Sequence, residues 1–198
     1  MRNKALFPAF VALFAALICV GCFMRIPVGA MPIVLQNALC VLTGVLLGGI
    51  QGGAPTLLFV AAGAVGLPVF SGGTGGIAVL LGPTGGFVPG YLLGAVLAGF
   101  AAGRPSVEER RVTAAHVLRI ALAVVSGMVV LYVPGVLWFA RWAAGNVSPE
   151  KMAEAGGALR YTMAACVLPF IPGDMIKIVI CVPLALRLRP LVAQYLYS

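Results

Sequence analysis

The chain has 198 residues, of which 62% are hydrophobic and only 9% charged. A soluble domain carries roughly a quarter charged residues, so the thirteen Lys and Arg and five Asp and Glu of this chain cannot cover a water-facing surface. A soluble globular fold is excluded, and lipid is the natural solvent. The net charge of +8 does not indicate a nucleic-acid partner, because the basic residues sit at the ends of hydrophobic segments rather than in a stripe on a polar face. There they orient helices in a membrane.

The first predicted span covers 6–24. Residues 1–22 also have the basic start and apolar core of a signal peptide, with Val20-Gly21-Cys22 similar to a lipoprotein cleavage site. The uncharged run from Ala5 to Met24 is long enough to cross a bilayer, whereas signal cores are shorter. A retained first helix is the reading adopted. Pro27 and Pro32 then lack backbone donors and disfavour helix before them, which predicts a turn.

No charge occurs between Ile26 and Gly103. That is several times the ~20 residues of one span, so the segment folds back on itself. Spans are expected at 33–50, 55–67 and 86–103, with the glycine-rich stretches 71–76 and 82–86 inside a connecting loop, 68–85. Gly86, Gly90 and Gly94 recur every four residues, as do Gly44 and Gly48, and Gly99 and Gly103. Such rows let helix backbones approach closely in lipid and are read as internal bundle packing. Ala12 and Ala16 have the same spacing on the first helix, where contact with a separate subunit rivals internal packing.

A charged loop at 104–112 precedes a fifth span at 114–141, which Pro134-Gly135 is expected to kink. A polar loop at 143–159 leads to the sixth span, 160–188, its beginning interrupted by Pro169, Pro172 and Gly173. Six spans place both termini on one side. The larger set of basic residues (Arg2, Lys4, Arg104, Arg110, Arg111, Arg187 and Arg189, with Arg119 nearby) then faces the cytoplasm. Arg25, Arg141, Lys151 and Arg160 face outward.

Asp174 and Lys177 are the only charges that fall within a predicted span away from its ends. At i and i+3 they share a helix face. An ionisable pair in hydrocarbon marks a functional site by default, although a mutual ion pair that locks helix geometry is the competing explanation. Pro172-Gly173 puts Asp174 near a helix start, where backbone donors are unpaired. Enzyme readings lack residues: the chain has one His, His116, read as a solvated interface residue, and one Asp. The five cysteines lie in apolar runs with no His to complete a metal site, and no Gly-Lys-Ser/Thr forms a phosphate-binding loop. No metal or catalytic residues are assigned.

Four words occur in order along the chain: Ile26-Pro27…Pro32-Ile33-Val34-Leu35-Gln36, Gly66-Leu67-Pro68-Val69-Phe70-Ser71-Gly72-Gly73, Leu81-Gly82-Pro83-Thr84-Gly85-Gly86-Phe87, and Ile171-Pro172-Gly173-Asp174-Met175-Ile176-Lys177. Together they resemble the BioY family, the biotin-binding S components of energy-coupling factor (ECF) transporters. The resemblance implies an all-α integral membrane protein, a single domain of six transmembrane helices over 1–198. It implies a location in the bacterial-type cytoplasmic membrane with both termini inside, and biotin bound near the outer face beneath the capping loop.

The ligand set so implied is Asp174 and Lys177 with Phe70, Gly73, Thr74, Gly75, Thr84, Tyr91 and Gln36. Asp174 would accept from the ureido N–H groups, and Lys177 would donate to the ureido carbonyl or neutralise the tail carboxylate. Phe70 and Tyr91 would cover the rings, and glycine amides and Thr84 would supply further donors. Ala12 and Ala16 match the family's docking row for a transmembrane coupling subunit, which works with two ABC-type ATPases. No cofactor is implied: biotin is cargo, and ATP is used by the partners. The turn Val28-Gly29-Ala30-Met31 lacks the extra prolines common in the family, and the glycine loop carries Thr74 with no Asn. An S component for another vitamin, such as riboflavin or thiamine, and a stand-alone secondary transporter are the alternatives.

Overall fold

The computed structural model describes residues 6–26 and 33–197. Arg2, Lys4 and the turn at 27–32 lie outside the described residues. The principal helices are α1 (Leu6–Val20), α2 (Gln36–Leu47), α3 (Ala54–Ala64), α5 (Phe87–Ala102), α6 (Ala114–Asn146) and the pair α8 (Ala158–Cys166) and α9 (Ile171–Leu196). Two short helices, α4 (Ile77–Leu81) and α7 (Pro149–Glu154), lie in the connections. A small antiparallel ribbon, β1 (Arg25–Ile26) with β2 (Ile33–Val34), flanks the first turn and pairs Arg25 with Val34. The sequence reading had only a turn there.

The expected span 33–50 is a shorter object. α2 has 12 residues, about 18 Å at 1.5 Å per residue, well under the ~30 Å of bilayer hydrocarbon. It stops because Gly48 and Gly49 adopt φ of +71° and +54°, a left-handed conformation that glycine accepts without steric cost. Every residue of α2 except Leu39 is buried. It is the central helix, wrapped by the others, and Val41, Leu42, Val45 and Leu46 form the middle of the largest core cluster with Ala98, Val124 and Leu131.

The glycine rows pack inside the bundle, as expected. A side chain at Gly94 would stand 2.6 Å from the carbonyl oxygen of Gly127, and one at Gly99 would stand 2.9 Å from that of Gly44. Bare backbone therefore forms the seams of α5 with α6 and with α2.

The last span departs most from expectation. α8 and α9 are bent by 45° at their junction, and α9 continues past Leu188 to Leu196 with Pro183 and Pro190 inside it. The expected end at Leu188 treated Arg189 as a residue in water. Its side chain is instead wholly buried. Its Nε donates to Glu109 Oε2 at 2.8 Å and its Nη2 to Glu109 Oε1 at 3.0 Å. The remaining donors reach the carbonyl oxygens of Val45, Ala102 and Gly103. One guanidinium thus satisfies the carbonyls that the ends of α2 and α5 leave unpaired, and α9 can extend through it. α6 likewise runs beyond the expected 141 to Asn146, with Pro134 inside the helix.

Burial raises the Glu109 carboxyl's pKa, but the hydrogen bond and charge of Arg189, aided by His116 and Arg119, bring it below the ordinary value. A depressed folded-state pKa contributes stability that is complete above the unfolded value, about 4.3 for Glu. That stability is lost as pH falls through the lower folded value. Thermal unfolding followed from pH 7 down through 3 should show this acid loss in the parent. In Glu109→Gln the acid loss should be reduced and stability lower at every pH, by roughly 3–5 kcal/mol at neutrality, since Arg189 is left without its counterion.

Candidate ligand-binding site

One turn into α9, Asp174 faces the start of α2 and the middle of α6. Pro172 and Gly173 open the helix, so the carboxylate lies in the first turn, as the sequence predicted. It is buried. Its Oδ1 accepts from Lys177 Nζ at 2.8 Å and from Asn37 Nδ2 at 3.1 Å, and its Oδ2 accepts from the Tyr132 hydroxyl. Lys177 Nζ also donates to Asn37 Oδ1 at 2.9 Å, which further accepts the amide of Ala38. Four polar side chains from α2, α6 and α9 therefore satisfy one another inside an apolar bundle.

This ring borders a cavity of about 240 Å³. Lys177, Asn37 and Tyr132 line it, and Asp174 does not. Asp174 borders the cavity through the three side chains bonded to it. The carboxylate lies behind the wall, where its oxygens are taken by three neighbours and hold Lys177 and Tyr132 in place. Lys177 has three N–H donors and spends two on Asn37 and Asp174, which leaves one for a guest. The Tyr132 oxygen retains lone pairs. The rest of the wall is apolar, with Phe70, Val79, Phe87, Leu131 and Phe170 prominent, and Ser71, Thr74 and Thr84 add hydroxyls.

Of the sequence-predicted set, the structure brings Lys177, Phe70, Thr74, Thr84 and Tyr91 to the cavity. Gln36 is elsewhere. It is buried, and its Nε2 donates to the carbonyls of Val69 at 2.7 Å and Ile18 at 3.2 Å, which ties the capping loop to α1 and α2. Gly73 and Gly75 do not line the cavity either. The Gly73 amide closes a turn onto the Phe70 carbonyl at 2.9 Å, so it is not a free donor, and a side chain at Gly75 would collide with the Leu67 carbonyl. The glycines shape the loop; the side chains beside them face inward. Ala12 and Ala16 lie on the exposed face of α1.

The loop from 66 to 86 lies over the cavity and is fastened on several sides. Gly76 donates to the Gly63 carbonyl at 2.7 Å and Gly72 to that of Cys22 at 3.1 Å. Trp138 Nε1 on α6 donates to the Gly82 carbonyl at 2.8 Å. Phe70 inserts edge-on against Phe59, with ring centroids 5.6 Å apart, in space left by the missing side chain of Gly63.

Sequence reasoning missed Asn37 and Tyr132. An amide in the middle of an apolar run is a polar group that must find a partner in the membrane, so Asn37 carried a usable signal. Tyr132 carried none that separates it from an ordinary apolar aromatic.

An apolar, loop-covered cavity with a self-satisfied polar ring on its wall, set in a bundle of apolar helices, defines a small-molecule-binding integral membrane protein. The family model described as the BioY family matches residues 2–194, and the chain belongs to that family. It is 37% identical over 180 residues to the biotin transporter BioY of Rhodobacter capsulatus, covering 90% of this chain and 88% of that protein. It is 33% identical over 179 residues to the biotin transporter BioY of Thermotoga maritima, covering 90% and 93%. Among solved structures it matches the S-component for biotin from an ECF-type ABC transporter, with a TM-score of 0.77 and 30% identity, covering 96% of this chain and 94% of that one.

The ring separates two kinds of substitution. Asp174→Asn leaves Lys177 buried without its counterion and should cost roughly 3–5 kcal/mol of stability in the ligand-free protein. Tyr132→Phe removes one hydrogen bond to a charged acceptor and should cost about 1.5–3 kcal/mol. Thermal unfolding in detergent, without ligand, checks the order of the two.

Proposed function

We propose that this protein captures biotin in the cavity between α2, α6 and α9 and delivers it across the membrane as the substrate-binding subunit of an ECF-type transporter. The observation that carries this reading is the Lys177–Asn37–Tyr132 wall, organised by Asp174, in an otherwise apolar chamber. Biotin is built to the same division. Its bicyclic ring system is apolar on its faces, its ureido edge offers two N–H donors and a carbonyl, and its aliphatic tail ends in a carboxylate.

The free Lys177 donor meets either the ureido carbonyl or the tail carboxylate, and the Tyr132 oxygen accepts from a ureido N–H. Phe70, Tyr91 and Phe170 cover the rings, while Thr74 and Thr84 complete the polar contacts beneath the loop. Membership in the BioY family and the similarity to curated biotin transporters support this choice of ligand.

Import requires partners. In this reading a transmembrane coupling subunit docks on the exposed Ala12–Ala16 face of α1, and two ABC-type ATPases supply ATP hydrolysis. The protein sits in the cytoplasmic membrane with both termini inside. Residues on α1 are separate from the ligand wall, so binding and delivery are separable by mutation.

Titration of the purified protein with biotin, riboflavin and thiamine tests the ligand. Saturable biotin binding that the other two vitamins do not displace is expected, weakened at least tenfold in Lys177→Gln, whose lost charge-assisted hydrogen bond is worth about 1.5–3 kcal/mol. Tighter binding of riboflavin or thiamine would reassign the protein. Replacement of both Ala12 and Ala16 by Leu should leave biotin affinity unchanged and abolish biotin uptake in cells that carry the coupling subunit and ATPases. Undiminished uptake would remove α1 as the docking face.

A further inference from the structure

The end of the molecule where α6 begins holds a second recess, of about 470 Å³, whose walls differ from those of the ligand cavity. Arg104, Arg111, Arg119 and His116 line it, together with Glu108 and Glu109. His116 and Tyr132 are sixteen residues apart on one helix, which places the recess about 24 Å from the ligand cavity. Nothing in biotin capture uses it.

The electrostatic balance in the recess favours an anion. Glu109 spends its charge on Arg189 behind it and on Arg119, whose Nη2 donates at 2.7 Å. Glu108 is exposed and is the remaining carboxylate of the lining. The Arg111 backbone amide bonds to the Glu108 carbonyl, while its exposed guanidinium makes no ion pair with Glu108 or Glu109. Arg104 only stacks on the Tyr197 ring, 5.7 Å from its centroid, which leaves its N–H groups available.

His116 supplies an independent observation. It is 8% exposed and lines the recess, yet its Nε2 has no hydrogen-bond partner. Glu109 Oε1 lies 3.7 Å away, beyond hydrogen-bond range. A buried ring nitrogen left in this way needs a guest or a water to complete it.

The surroundings determine what kind of anion. Leu118 and Leu122, one turn apart on the outer face of α6, and Val112 beside the recess are among the most exposed apolar side chains in this region. In a membrane protein such a face is covered by acyl chains. A cationic recess continuous with a lipid-facing apolar stripe has the two-part chemistry of a phospholipid, with an anionic phosphate head and a hydrocarbon tail.

We propose that this recess binds the headgroup of an anionic phospholipid, with its phosphate held by Arg104, Arg111 and Arg119 over His116 and an acyl chain lying along Leu118 and Leu122. The bound lipid fixes the charged loop and the start of α6 at the membrane surface, at the opposite end of α6 from the capping loop.

The test uses the purified full chain in detergent, with native mass spectrometry and thermal unfolding as readouts. Phosphatidylglycerol should be retained and should raise the unfolding temperature, whereas phosphatidylcholine should do neither. Arg104→Gln/Arg111→Gln should bind phosphatidylglycerol about tenfold more weakly or worse. The double variant should unfold like the parent in the absence of lipid, which separates loss of the site from loss of the fold. Arg141→Gln/Arg160→Gln, the same loss of two charges away from the recess, should retain the lipid. Equal retention of the two lipids, or unchanged binding by Arg104→Gln/Arg111→Gln, would overturn the proposal. Stabilisation by inorganic phosphate or by a short polyglutamate peptide to the same degree as by phosphatidylglycerol would overturn the lipid assignment.

Discussion

A lysine and an aspartate can reside in the middle of an apolar helix bundle only if their charges and hydrogen bonds are closed among themselves. Here that closure takes four side chains from three helices. Asp174 accepts from Lys177, Asn37 and Tyr132, and Asn37 accepts from Lys177 in return. Removal of either charged member leaves the other without its counterion inside the bundle. The ring thereby fixes the relative placement of α2, α6 and α9, and the cavity lies where it does because these three helices meet there.

A similar rule operates at the other end of the bundle. Arg189 is enclosed by Glu109 and by carbonyl groups at the ends of α2 and α5. α2 is therefore held at both ends by a cation from α9, by Lys177 near its first turn and by Arg189 near its last. A 12-residue helix too short to span hydrocarbon is stable in the centre because its neighbours supply what its own ends lack. The two clusters differ in what they leave open. The Arg189 cluster engages every guanidinium nitrogen internally, whereas the ring around Asp174 leaves Lys177, which lines the cavity, with a donor to spare. One serves as a fastening, the other as a binding surface.

The capping loop shows how glycine and polar side chains divide the work. Gly63 and Gly75 make room for Phe70 and for the Leu67 carbonyl, and Gln36 and Trp138 pin the loop from two sides. The side chains that reach inward, Phe70, Ser71 and Thr74, stand beside the glycines rather than among them. Gln36 lies at the head of α2 in a recognisable word, yet its amide is needed by the backbone of the loop.

Composition alone determined that lipid is this chain's solvent, because eighteen charges cannot solvate a surface of this size in water. The long uncharged run, its glycine punctuation and the Asp174–Lys177 spacing located most helices and one wall of the site, since these depend on neighbours along the chain. What only the tertiary structure decided was partnership across helices. Asn37 meets Lys177 across 140 positions and Arg189 meets Glu109 across 80, and no local period encodes such contacts. For the same reason Arg189, which reads as a solvated terminal charge, is the most completely buried cation among the described residues, and α9 runs past it to Leu196. Asp174, which reads as the ligand's partner, stands behind the wall that its neighbours form. A side chain's type is written in the sequence, but which of its hydrogen bonds remain free for a guest depends on every group the fold brings beside it.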